Sequence, residues 1–270
     1  EFIANVVHII EVSSYLDPDD GVIIDISPGG RGNAPLGTYD GPGRALNPVT
    51  GEAYAPNLVK RGDYARILAE FWADGPDSET PPGHWNTVAN YVSDHPLFEK
   101  RLGGEGPILN DLEWDVKLYL VLNGALHDAA ICAWGAKGFY DTSRPISHVR
   151  YMAGLGQSTE TEADDYHPLG LPLVPGLIER ITAETTATGE RHAGLAGFEG
   201  ELAVYAWPGA PENPETEYSG VRWHRALNWV PYQRPTFVSP PFSGYISGHS
   251  TFSRSAAEVL TAITGTEFFP

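Results

Sequence analysis

Residues Asn110–Ala136 read NDLEWDVKLYLVLNGALHDAAICAWGA, and the fold turns on how this stretch is read. Asn110 with Glu113 three residues on resembles a capping box in which Asn replaces the usual Ser or Thr. The spacing predicts a helix over 110–136. From Leu118 to Trp134 it is apolar on nearly all sides, so it is expected to be central and buried. His127 and Asp128 then need partners on neighbouring helices. His127 also shares a face with Trp134 seven residues on, which would set it behind any cavity on that side. Cys132, the single cysteine, is expected to be a buried, inert thiol.

Downstream, Gly135 and Gly138 are expected to end this helix, and Pro145 to open another that stops near Gly154. Upstream, residues 1–57 show little helical period. Val22-Ile23-Ile24 is a short β-like run, followed by the turn formers SPGGRGNAPLG and DGPG. Asp17, Asp19 and Asp20 read as a solvated acidic turn, because Pro28 stands where a calcium loop needs its bidentate Glu. Helix is expected from about Asn57 to Gly75, with Tyr64, Ile67, Leu68 and Phe71 as its stripe, and again over WNTVANYVSDH from His84-Trp85. Residues 155–235 are rich in Gly, Pro and acids. They hold one short helix candidate, Pro175 to about Thr186, and the aromatic residues Trp207, Trp223, Trp229 and Tyr232.

Bulk properties narrow the function. Hydrophobic content of 41% with 7 Trp, 13 Tyr and 10 Phe describes a globular chain. A formal net charge of −18 argues against nucleic acid as a partner, since the far field repels phosphate backbones. It leaves room for a small anion in a locally positive pocket. Asn123, His127 and Asp128 interrupt the longest apolar run, so no membrane span is expected. The compartment is left open, secreted and periplasmic locations included.

The second decisive stretch is Pro240–Gly265, PPFSGYISGHSTFSRSAAEVLTAITG. Phe252, Ala256, Val259 and Ile263 make an amphipathic stripe, and Gly265 is a C-terminal stop. Ser247-Gly248-His249 falls at the expected helix start, where free N–H groups and the positive dipole end suit an anion. A self-capping turn would use the same three residues.

Two cations precede it in chain order. Lys137 and Arg144-Pro145 form the pattern K-x6-R-P, and S-G-H follows at 247–249. Together these resemble the first two signatures of the vanadium haloperoxidase and type-2 phosphatidic acid phosphatase superfamily. Trp134, Pro240 and Phe242 stand where the chloroperoxidase-like branch keeps its halide-pocket residues; Ile246 departs from the usual P-S-G-H. The resemblance implies a mainly α fold, a helical bundle of the vanadium haloperoxidase and acid phosphatase type with long irregular insertions. The chain is accordingly expected to be one α-helical domain over 1–270, incomplete at its C-terminus, with 155–235 as an insertion between the motifs.

The resemblance also implies roles. Lys137, Arg144, Ser247, Gly248 and His249 would surround a vanadate, or a phosphate in the same place. Arg144 offers a planar fork, Lys137 a point charge, Ser247 and Gly248 neutral donors, and His249 acid–base chemistry. Lys137 would also be catalytic, polarising bound peroxide. Hydrogen peroxide, halide and a small organic acceptor would be the reactants, hypohalous acid the product, and no haem would be required. A soluble acid phosphatase with a histidine nucleophile, or a non-catalytic oxyanion-binding homologue, are the alternatives.

One part is missing. The superfamily's third signature places His six residues after Arg, and none of the thirteen arginines here has it. The histidine that would bond vanadium is therefore not in these 270 residues. Either these 270 residues are a fragment, completed by further chain or by a second piece carrying that motif, or the metal-binding histidine has been lost. The end just after a helix favours a fragment.

Overall fold

The computed structural model describes residues 2–30, 32, 41–48, 50–75 and 77–268. Much of the expected turn segment, Arg31 and Asn33–Asp40, lies outside them, as do Phe269 and Pro270 at the end of the chain. In chain order the elements are α1 (Phe2–Ser14), β1 (Ile23–Asp25), β2 (Leu58–Lys60), α2 (Arg61–Phe71), α3 (Pro81–Ser93), α4 (Asp111–Tyr140), α5 (Pro145–Leu155), β3 (Ile178–Arg180), β4 (Leu202–Ala206), β5 (Arg222–Arg225) and α6 (Gly248–Thr264). The chain is mainly helical. It groups into two compact units, 1–71 with 145–236, and 72–144 with 237–270.

The first unit holds α1, α2, α5 and both sheets. Helix α1 was not expected, yet Val6 and Ile10, one turn apart, are fully buried among Val149, Met152, Leu202 and Trp229. Strands β1 and β2 pair antiparallel with Ile24 opposite Val59, so the chain reaches Arg61 as a strand and not as the helix expected from Asn57. The stripe read on α2 does not face a core: Ile67, Leu68 and Phe71 are all exposed. The expected helix over Pro175–Thr186 is also absent. Ile178–Arg180 is instead the edge of an antiparallel sheet ordered β3-β4-β5, with Ile178 opposite Val204 and His224 opposite Val204 on the far side. Cross-strand pairing with residues more than twenty positions away outweighs the local helical pattern there. Of the aromatic residues, Trp207 and Trp229 are buried, and Trp207 meets Tyr232 edge-on at 4.9 Å.

The second unit is built on α4, with α3 and α6 packed along it. Asn110 caps α4 as expected, its side chain accepting the Glu113 N–H at 3.0 Å, while Glu113 pairs with Lys117. Thr80 caps α3 in the same way, with Pro81 in the first turn. Helix α6 begins at the Ser247 N-cap and ends at a left-handed Gly265. Trp114, Leu118, Leu122, Leu126 and Ala129 of α4 meet Phe252, Ala256, Leu260 and Ile263 of α6, and Ala89 joins from α3.

Helix α4 departs from expectation in three ways. Only one face is buried: Leu112, Val116, Leu120 and Ile131 are exposed, as are His127, Asp128 and Cys132. His127 is thus not a buried polar group. Apolar residues on all sides do not demand burial on all sides. The glycines do not end the helix either. Gly135 and Gly138 lie inside it, and it stops at Asp141, which takes the left-handed conformation at φ +43°. By length and hydropathy alone the stretch Asp111–Leu155 would cross a bilayer, a test that long core helices of water-soluble proteins also meet.

Candidate functional site

The second unit brings together Trp134, Lys137, Arg144, Phe242, Ser247, Gly248 and His249. Lys137 occupies the last turn of α4 and is 4% exposed, in contrast to an ordinary helix-end lysine. Its Nζ donates to the carbonyl oxygens of Ser243 at 2.8 Å and Gly244 at 3.4 Å, so one of its three N–H groups is left over. The loop it holds is clamped to Thr142, two residues after α4. Thr142 N–H donates to Ser243 Oγ at 2.9 Å, Gly244 N–H to the Thr142 carbonyl at 3.2 Å, and Tyr245 N–H to Thr142 Oγ1 at 3.0 Å. These bonds fix the loop that leads into α6.

Arg144 is half-buried and makes no ion pair among the described residues; an Arg144–Asp141 pair does not form. Its Nε is buried without a hydrogen-bond partner. A buried charge-bearing donor in that state is costly unless something binds it. Burial holds the Arg144 guanidinium below its usual pKa range. Burial, and next the Arg144 charge, hold the Lys137 ammonium below the usual lysine value. Two cations destabilised by burial, with no carboxylate between them, make a place where an anion is favoured.

The wall beside them is aromatic. The Phe242 ring centre lies 5.2 Å from Lys137 Nζ and 5.6 Å from Arg144 Cζ, and 5.3 Å from the Trp134 ring. Such faces attract cations. Trp134 also packs at 6.0 Å on Phe252 of α6 and closes over Gly248, where a Cβ would lie 3.1 Å from its ring. A side chain at 248 would have to displace the indole by a few tenths of an ångström. Pro240 is half-buried two residues before Phe242, and no described contact brings it to the cations.

At the start of α6, Ser247 Oγ accepts the Ser250 N–H at 3.2 Å. That bond uses an acceptor site, so the hydroxyl keeps its own hydrogen to donate. The Gly248 N–H, in the first turn, has no helical acceptor to pair with. His249 does not cap its helix. Its Nε2 lies 2.9 Å from Oδ2 of Asp74, whose side chain is only 1% exposed. The other carboxylate oxygen of Asp74 lies 2.9 Å from His84 Nδ1.

Asp74, His84, Thr142 and Ser243 carry no functional signal in the sequence. Asp74 sits at φ +47° after α2, where W-A-D-G reads locally as a helix stop. No short-range pattern links it to a histidine 175 positions away. Among the described residues no group of three or more His, Cys, Asp or Glu side chains is placed to hold a metal ion. The site instead offers N–H and O–H donors, suited to the oxygens of an anion.

A family model described as the VCPO second helical-bundle domain matches residues 117–179 and 196–270, a span that includes every site residue named above except Asp74 and His84. No curated protein and no solved structure matches the chain.

Proposed function

The chain belongs to the VCPO second helical-bundle domain family, within the vanadium haloperoxidase superfamily, and from that premise we propose that its anion site serves the oxidation of halide by hydrogen peroxide to hypohalous acid. The observation that carries this reading is the position of Phe242, against both cations and against Trp134. A halide is a large, weakly hydrated anion, and a cationic niche walled by aromatic faces suits it better than an open polar cleft.

The residues present fit a tetrahedral oxyanion, because Arg144 Nε is a buried donor without a partner. Arg144, the remaining Lys137 N–H, the Ser247 hydroxyl and the Gly248 N–H would hold vanadate oxygens. When bound, vanadate supplies activation of peroxide towards halide without haem and without change of its own oxidation state. The histidine that would bond vanadium is not among these 270 residues, and the residues present take the other roles. With its Nε2–H given to Asp74, His249 keeps Nδ1 as the base that takes a proton from peroxide. Asp74 orients that ring and stabilises its positive charge. A small organic acceptor would take the halogen afterwards.

The same uncompensated cations would also suit phosphate, which supports hydrolysis of phosphomonoesters as a second reading. The deciding experiment uses the natural protein with its intact mass measured. Vanadate-dependent halogenation of monochlorodimedone is the expected result. Release of p-nitrophenol from its phosphate ester, inhibited by vanadate and without halogenation, would favour the phosphatase. Binding of vanadate with neither activity would leave an oxyanion-binding homologue.

A further inference from the structure

We propose that His84 is a positioning residue, which holds the Asp74 carboxylate so that Asp74 can hold His249. The carboxylate is buried and divides its oxygens between two imidazoles, Oδ1 at 2.9 Å from His84 Nδ1 and Oδ2 at 2.9 Å from His249 Nε2. An ionised carboxylate offers only acceptors, so both facing ring nitrogens carry hydrogen. A carboxylate bonded through one oxygen can swing about its Cβ–Cγ bond. One bonded through both cannot, and the direction of Oδ2 then fixes the plane of the His249 ring.

His84 is itself well fixed for this task. It lies in the first turn of α3, whose N-terminus is set by the Thr80 cap and Pro81. Its ring stacks on Trp72 with centroids 4.9 Å apart and planes 22° apart, and Trp72 rests against Trp85 at 5.7 Å. His249, at 44% side-chain exposure, is the open end of the chain of bonds, and His84, at 9%, is the closed end. An imidazole packed on indole at the closed end gives a reference that solvent cannot reorient. The proposal rests on the oxyanion reading only in giving His249 a proton-transfer role; the chain of hydrogen bonds does not depend on it.

The test is nuclear magnetic resonance of protein labelled with ¹⁵N-histidine. In the wild type, His84 is expected to carry its hydrogen on Nδ1, the rarer tautomer in water, and His249 to show a downfield, exchange-protected Nε2–H. His84→Phe keeps a ring to stack on Trp72 but removes the donor. His84→Asn restores an N–H close to the former Nδ1. The His249 Nε2–H resonance should broaden away in His84→Phe and return in His84→Asn, a pattern that a purely structural role would not give. The halogenation kcat should fall in His84→Phe with the KM for halide unchanged, and recover in His84→Asn. A His249 resonance unaltered in His84→Phe would overturn the proposal. So would a wild-type His84 protonated only on Nε2, an observation that needs no variant to fold. Both resonance outcomes are independent of whether the protein halogenates, so loss of the haloperoxidase reading would leave them interpretable.

Discussion

The carboxylate of Asp74 lies 2.9 Å from the imidazole of His249, across 175 residues of sequence, and both belong to the same compact unit. On the proposed function, this contact orients His249 as a base. Asp74→Asn would place an amide opposite Nε2, which favours the wrong tautomer or a lost bond. The halogenation kcat should fall roughly 10²-fold or more, the scale of general acid–base assistance. Vanadate affinity should change little, because the oxygen-binding donors are elsewhere; equilibrium binding and steady-state kinetics on the same preparation check the split.

The proposed anion site predicts that Arg144 lowers stability when no anion is bound. Its Nε is buried and unpaired, and burial lowers its pKa. Replacing a poorly compensated buried charge by an apolar group is neutral or stabilising. Arg144→Met should therefore unfold at an equal or higher temperature than the wild type when no anion is present. Added phosphate should raise the melting temperature of the wild type by mass action and leave that of the variant almost unmoved. Thermal melts with and without phosphate give both comparisons.

Gly248 and Trp134 form a steric pair. A Cβ on residue 248 would lie 3.1 Å and 3.2 Å from two atoms of the indole. Gly248→Ala should cost about 1–3 kcal/mol through overpacking. Trp134→Leu in the same chain should recover much of that loss, and a double-mutant cycle by denaturant unfolding measures the coupling.

His224 sets an acid limb for the first unit. Burial pushes its pKa down to about 4 from 6.5, and its Nε2 has no partner. Between those values the unfolded chain binds more protons than the native one, so stability rises with pH across the window. The contribution is complete above about 6.5 and is lost as pH falls towards 4. It amounts to roughly 3 kcal/mol at full extent, by conversion of the shift. Urea unfolding between pH 7 and 4 should show this slope, and His224→Asn should flatten it.

Much of this architecture is written locally. Asn110, Pro145, Ser247 and Gly265 mark helix ends through caps and backbone preferences, and the structure places ends at or beside each of them. The chemistry-bearing order of Lys137, Arg144 and Ser247-Gly248-His249 is equally plain from residue types and spacing. What was not legible is non-local. Asp74 and His84 acquire meaning only when the chain returns to them, and Ser243 only when it meets Thr142. Strand β3 exists because β4 pairs with it, against a local pattern that suggested helix. The uniform hydrophobicity of α4 concealed which face is buried. The face is set by where Phe252, Ala256 and Leu260 of α6 lie, and periodicity within α4 carries no record of that.

The claim underlying all of these readings is that Lys137, Arg144 and the start of α6 form one anion site. Calorimetric titration with orthovanadate addresses it most directly. The wild type should bind one anion per chain. Arg144→Met should bind at least about tenfold more weakly, the loss expected for one charge-assisted hydrogen bond of roughly 1.5–3 kcal/mol. Absence of vanadate binding by the wild type, or an affinity unchanged in Arg144→Met, would contradict the account.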